Sequence, residues 1–290
     1  MLKLQTPVEF PQSRVRIGLE NRIAVLGSCF ADGVGALMKD AGLRVCVNPF
    51  GTLYNPRSIL NSVRRLSSGE HFTQRDCVRL GAGADHMVCS FSHHTSFARP
   101  GEREFLEVAN ASLDEAAAFW KDCDRVVVTL GTAYCWRRVE DGEVVSNCLK
   151  RPASEFVRTR LDIGEVTRIL EELMELCPEK EFIFTVSPIR HLSGGAHDNQ
   201  LSKSILLLAL DNLIRSHSAR ADYFPSYEIL LDELRDYRFY AEDLTHPSPP
   251  AVRWVWERFC DFAAEPAERG RLAANEKASR QSLHRSILKK

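Results

Sequence analysis

Short apolar runs, each closed by a turn and each followed by a helical stretch, restrict the fold of this chain more than any other feature. Ile23-Ala24-Val25-Leu26 ends in Gly27-Ser28. Val126-Val127-Val128-Thr129-Leu130 ends in Gly131-Thr132, and Phe182-Ile183-Phe184-Thr185-Val186 ends in Ser187-Pro188. Runs this short, bounded by Gly, Ser and Pro, read as buried strands. Two shorter strands are expected at 44–47 and 222–226. Helices are expected over 31–42, 56–66, 102–121, 154–177 with a break near 162–164, 199–216, 228–236 and 250–264. Strands alternating with helices imply an α/β chain with a mostly parallel sheet covered on both faces. In such sheets a ligand sits at the carboxyl ends of the strands. Ser28, Gly131, Ser187 and the loop before His246 all fall at that end. Residues 134–139 and 143–145, split by Asp141-Gly142, read as an inserted β-hairpin outside the core. A further strand is expected over 85–91.

Ser28 stands at the first strand-to-helix turn. Its hydroxyl would be exposed above the sheet edge. Its N–H would lie at a helix start, where backbone donors are unpaired and the dipole favours negative charge. The other reading is a plain helix cap, a position that serine favours. Near the C-terminus stands Asp243-Leu244-Thr245-His246. One short loop could bring both side chains to a serine, with His246 as proton acceptor and Asp243 orienting its imidazole. The neighbouring Cys29 offers a thiol as the alternative nucleophile. Adjacent side chains at such a turn diverge, so only one of the two can face the cleft.

Four segments are similar to those of the GSCFA family: Gly27-Ser28-Cys29-Phe30-Ala31, 48–56 (Asn-Pro-Phe-Gly-Thr-Leu-Tyr-Asn-Pro), Ser187-Pro188-Ile189-Arg190-His191 and Asp243-Leu244-Thr245-His246-Pro247. The resemblance spans roughly 20–265. GSCFA proteins in turn resemble the SGNH (GDSL-like) hydrolases. That likeness implies a single three-layer flavodoxin-like domain over 1–265, followed by a basic helix or tail over 266–290. It also implies a serine in the first block, for which Ser28 is preferred over Cys29, and an Asp-x-x-His in the last.

The SGNH pattern is broken at one point. Its third strand is usually followed by Gly-x-Asn-Asp, whose asparagine donates to the oxyanion. Here that asparagine position holds Ala133. A missing donor of this kind costs roughly 2.7–4 kcal/mol of transition-state stabilisation. Thr132, Asn55 and Asn48 are the candidate replacements. Gly51 maps to the second-block glycine whose N–H completes the oxyanion hole, and Gly131 and His191 border the same cleft.

Composition excludes more than it selects. The 290 residues carry a formal net charge of -1, which leaves no electrostatic footprint for nucleic acid. No run reaches the ~20 apolar residues of a membrane span, and Met1 to Phe10 lack an apolar signal core. The nine cysteines form no Cys-x-x-Cys, which suits free thiols in a reducing, cytoplasmic setting. Adjacent His93-His94, and His191, His197 and Asp198, lack zinc-like spacing, so no metal and no cofactor is expected. The function expected is a serine hydrolase using Ser28, His246 and Asp243 on acyl or acetyl esters of a small molecule or carbohydrate. An acyltransferase on the same acyl-enzyme, and a non-catalytic binding protein on a degenerate SGNH scaffold, are the alternatives.

Overall fold

The computed structural model describes residues 5–81 and 87–287. Five parallel strands form the central sheet: β1 (Arg22–Gly27), β2 (Arg44–Val47), β3 (Arg125–Leu130), β4 (Glu181–Val186) and β5 (Ala221–Phe224). Their spatial order is β2-β1-β3-β4-β5. That is the flavodoxin-like order, in which chain direction across the sheet reverses between β1 and β3. The mostly parallel α/β fold expected from the alternating pattern is the observed one.

Each central strand is apolar on both parities because each face packs a different layer. Ile23 and Val25 of β1, Val127 of β3 and Ile183 of β4 point into one core. There they meet α1 (Cys29–Asp40) and α6 (Pro249–Ala263) through Phe30, Met38, Trp256 and Phe259. The alternate residues Ala24, Leu26, Val126, Val128, Phe182 and Phe184 point into the other core. That one is roofed by α2 (Pro56–Ser68), α3 (Glu102–Lys121), α4 (Ile163–Glu175) and α5 (Gly195–His217).

The long helix expected from 154 is instead a strand and then a helix. Phe156–Arg160 pairs antiparallel with Tyr134–Arg138, which also pairs with Val144–Val145, so the inserted hairpin is a three-stranded sheet. Asp162 stops the extension. Its carboxylate accepts the Glu165 N–H while Glu165 accepts the Asp162 N–H, a capping box that starts α4. Asp162→Ala is expected to cost about 1 kcal/mol in chemical or thermal unfolding.

Two further expectations are revised. The 228–236 helix is one short helical turn, Ser226–Glu228, running into a π-helical stretch, Ile229–Glu233. The strand expected over 85–91 falls partly on 82–86, outside the described residues; Val88–Cys89 pairs antiparallel with Val78–Arg79. The C-terminal stretch forms α7 (Arg269–Ile287), and its first half is docked rather than solvated. Glu276 accepts the Trp256 indole N–H at 2.7 Å and an Arg253 N–H at 3.1 Å, and Leu272 is buried.

Candidate functional site

The turn from β1 to α1 is built by close backbone approach. Gly27 adopts φ +135°, and a Cβ there would lie 2.1 Å from the Thr129 carbonyl oxygen, so only glycine fits. Ser28 follows as the N-cap of α1 in extended conformation, with ψ 171° and no capping bond from its side chain. It prolongs the strand by one residue. Its hydroxyl therefore points between the strand ends, where it donates to Ser187 Oγ at 3.0 Å. Its N–H donates to the Thr129 carbonyl. Ser28 is fully buried. Both donors assigned to it by sequence are consumed inside the sheet.

Cys29, the first residue of α1, is the one that leaves the sheet. Its half-buried Sγ lies 3.4 Å from His246 Nε2. The expectation that Ser28 faces His246 is thus corrected on geometry: the neighbouring thiol does. Burial is the largest influence on this thiol and pushes its pKa up. The N–H groups of Cys29 and Phe30 and the Tyr54 hydroxyl pull the other way, and the Asp32 charge adds to the rise. The thiol therefore rests protonated at neutral pH and can only become a nucleophile by passing its proton on during attack.

His246 and Asp243 sit on the loop that precedes α6. Asp243 Oδ2 is 2.5 Å from His246 Nδ1. Asp243 Oδ1 accepts the backbone N–H groups of His246 and Thr245, each at 2.9 Å. These two N–H bonds, then the imidazole, hold the Asp243 carboxyl well below the usual carboxylate range. The tight turn is closed by Leu244 at φ +55° and is tied to the loop after β4 by the Arg190 N–H on the Thr245 carbonyl. With Nδ1 committed to the carboxylate, Nε2 faces the thiol as acceptor.

The donors expected for an oxyanion hole are placed differently. Gly51, at φ +81°, gives its N–H to the Asn48 carbonyl at 2.8 Å, closing a turn. The Asn48 side chain accepts the Gly27 N–H and donates to Asp32 Oδ1 at 2.7 Å. Asn55 caps α2 by accepting the Ser58 N–H at 2.9 Å. Thr132 Oγ1 bonds Ser202 Oγ at 3.0 Å. Each of these residues shapes the cleft, and none of those bonds points at Cys29.

Two groups that the sequence reading passed over also build the cleft. Tyr54 runs across the crevice between β1 and β3: its carbonyl accepts the N–H groups of both Gly131 and Thr132, at 2.8 and 2.9 Å, and its hydroxyl accepts a hydrogen bond from Thr52 Oγ1 at 3.2 Å. Lys203 of α5 is wholly buried, and its Nζ donates to the carbonyls of Gly131 and Ser187, both at 2.7 Å. It clamps together the ends of β3 and β4. His191 packs its ring edge-on to Tyr54, with centroids 5.5 Å apart. Burial, then the positive charges of Lys203 and His246, push it down to about 3, so it is a neutral wall of the cleft. Among the described residues no group of three or more His, Cys, Asp or Glu side chains is placed to hold a metal ion, and no helix is long and apolar enough to cross a membrane.

The model of the GSCFA family matches residues 22–259. No curated protein sequence matches the chain significantly. Among solved structures, the chain is similar to the acetyl xylan esterase Est2A of the rumen bacterium Butyrivibrio proteoclasticus, at 11% identity and TM-score 0.40 over 91% of this chain and 67% of that one. It is also similar to a family two carbohydrate esterase from Clostridium thermocellum, solved with cellohexaose, at 11% identity and TM-score 0.41 over 88% of this chain and 65% of that one. A third, a Corynascus carbohydrate esterase of family 2 with a carbohydrate-binding domain, is 15% identical with TM-score 0.40, over 87% of this chain and 67% of that one.

Proposed function

The chain belongs to the GSCFA family, and from the site it carries we propose that it is a thiol-dependent acyl hydrolase in which Cys29, His246 and Asp243 act on the acyl or acetyl ester of a small molecule or carbohydrate. The observation that carries this reading is the 3.4 Å approach of the Cys29 thiol to His246 Nε2, with Asp243 on the opposite ring nitrogen. The arrangement has the roles of a nucleophile, a base and an orienting acid, with a thiol in the serine's place.

The chemistry follows from the protonation states. Sulfur attacks the ester carbonyl carbon as its proton passes to His246 Nε2. Asp243 stabilises the imidazolium that forms. The carbonyl electron pair moves onto oxygen, beside the N-terminus of α1, where the Cys29 N–H and the helix dipole favour negative charge. The intermediate collapses by breaking the bond to the alcohol, which takes the proton from His246. A thioester remains on Cys29. Water, activated by the same imidazole, releases the acid and restores the thiol. An acceptor hydroxyl in place of water would make the reaction an acyl transfer.

Iodoacetamide tests the assignment directly. Treatment of the purified protein is expected to carboxamidomethylate Cys29, located by peptide mapping, and to abolish hydrolysis of p-nitrophenyl acetate in step with that modification. Ser28→Ala protein should be labelled at the same position. Hydrolysis that survives complete modification of Cys29 refutes the reading.

A further inference from the structure

Of the segment Ser187-Pro188-Ile189-Arg190-His191 after β4, the acyl chemistry leaves Arg190 without a role. Its backbone N–H donates to the Thr245 carbonyl at 3.0 Å, and its Nη1 donates to the Leu244 carbonyl at 3.2 Å. Leu244 and Thr245 are the two residues between Asp243 and His246, so the guanidinium rests against the catalytic loop. It also lines a cleft of about 460 Å³, together with Leu192, Tyr227, Leu230, Leu231 and Tyr240, a size that suits a small molecule. One wall of that cleft is the π-helical stretch Ile229–Glu233, a departure from α-geometry that often marks a functional site. Another is Tyr240, whose ring centroid lies 5.8 Å from the guanidinium. Tyr240 stands in the short ladder that carries the loop: the Ala241 N–H donates to the His246 carbonyl and the Ser248 N–H to the Phe239 carbonyl, both at 2.8 Å. Cleft and catalytic loop therefore share a wall. The acids of the cleft are taken, Asp232 by Arg235 at 3.1 Å and Asp236 by Arg238 at 3.6 Å. Among the described residues, no carboxylate pairs with Arg190.

We propose that this cleft binds the alcohol half of the ester and that Arg190 selects an alcohol bearing a carboxylate. The inference rests on the acyl-hydrolase reading of the site and narrows its substrate. The departing alcohol oxygen takes its proton from His246 Nε2, so the alcohol half leaves on the His246 side, where the cleft lies. Apolar side chains and the Tyr240 ring take the body of the alcohol. The Nε and Nη2 edge of Arg190, which has no protein acceptor among the described residues, forks onto the carboxylate. A carboxylate suits the site better than a phosphate. One unpaired guanidinium balances one negative charge, whereas a dianion would bring a second charge up to Asp232 and Asp236.

The probes are 4-(acetoxymethyl)benzoate and its methyl ester, followed by release of acetate. Their acetyl groups and leaving oxygens are alike, and their far ends differ in charge. The full chain is expected to favour the carboxylate about tenfold in kcat/KM, with the difference in KM. The corresponding phenyl phosphate, a dianion, should gain less than about twofold over the methyl ester. Arg190→Gln should bring the carboxylate preference below about twofold, and Arg190→Lys, which keeps the charge and loses the fork, should leave about threefold. A merely structural role beside Leu244 would slow both esters alike. A preference unchanged in Arg190→Gln therefore overturns the proposal, as does an unmodified protein that does not discriminate or that prefers the phosphate. If Arg190→Gln does not fold, salt carries the test: between about 0.05 and 0.5 M NaCl the preference of the unmodified protein should fall about threefold, and a constant one overturns the proposal. Acetate release that survives full alkylation of Cys29 rejects that nucleophile instead, and the ratio of the two esters still decides the role of Arg190.

Discussion

Cys29→Ala is expected to lower kcat/KM for ester substrates by at least about 10³-fold, whereas Ser28→Ala keeps it within about tenfold. The two side chains are neighbours, yet only one has an unused reactive atom facing a base. The Ser28 hydroxyl is buried and donates to Ser187 Oγ, which also accepts the Ile189 N–H at 3.3 Å, so its removal takes one of two donors from that oxygen and should cost about 1 kcal/mol of stability. Alanine at 29 removes the atom that forms the covalent bond. Steady-state kinetics on the two variants, beside their thermal midpoints, separates the effects: Ser28→Ala loses stability and keeps turnover, Cys29→Ala does the reverse. Cys29→Ser is a sharper third arm. A hydroxyl attached by a shorter bond sits farther from His246 and is the weaker nucleophile, so little activity should return. The opposite pattern, loss in Ser28→Ala alone, would return the nucleophile to residue 28 and require the β1–α1 turn to rotate.

Much of the architecture was legible because it is written in apolar parity. Ile23 and Val25 against Ala24 and Leu26 declare a strand with two covered faces. The same parity in β3 and β4, with helical stretches between, leaves a parallel sheet as the economical arrangement. Asp243 and His246 were legible because three residues of spacing let one turn place a carboxylate on its own imidazole. The choice between Ser28 and Cys29 was not legible, because it hangs on where the strand stops, and sequence places a helix start only to within one or two residues. Ser28 keeps the extended conformation, so the first outward side chain is the next one along. The asparagines misled for a related reason. Asn48 and Asn55 have the chemistry of an oxyanion donor, but a positive-φ turn and a helix cap each claim one of them. Tyr54 had no periodic signature at all. Its position comes from a segment pinned to two strand ends by main-chain bonds, which side-chain types do not report. Residues 156–160 form a strand although Arg158 and Arg160 are good helix formers: the alternate Val157 and Thr159, and an available edge at Tyr134–Arg138, decide it.

Lys203→Met should show the largest stability effect of any conservative change near the cleft, and one that depends on pH in a definite sense. Burial without a carboxylate partner lowers this amine from 10.5 to about 7. The groups facing it are the two carbonyls, the Tyr227 ring and His191, and His191 is already neutral throughout this range. The unfolded chain holds the proton up to 10.5, so the folded state carries a charging penalty that is full below pH 7, shrinks between 7 and 10.5, and vanishes above. A neutral amine still has two N–H donors, enough for both carbonyls. Wild-type protein therefore keeps its two bonds while shedding the penalty as pH rises. Methionine keeps the apolar stem but leaves both carbonyls without a donor, which costs on the order of 4 kcal/mol, or roughly 10 °C in Tm. At pH 6 the charging penalty for a fall from 10.5 to about 7 is on the order of 5 kcal/mol, as large as that loss, so the variant, which has no charge to bury, should lie close to the wild type in Tm there. The gap in Tm between the two proteins should accordingly widen from pH 6 to pH 10. Taking the difference cancels the cysteine thiols, whose raised pKa values weaken both proteins alike above pH 9. A gap that is constant or narrows with pH would mean that the amine stays charged in its cage. The two carbonyls would then be gripped by an ammonium group, and the ends of β3 and β4 beneath the cleft would be held by charge rather than by a neutral donor.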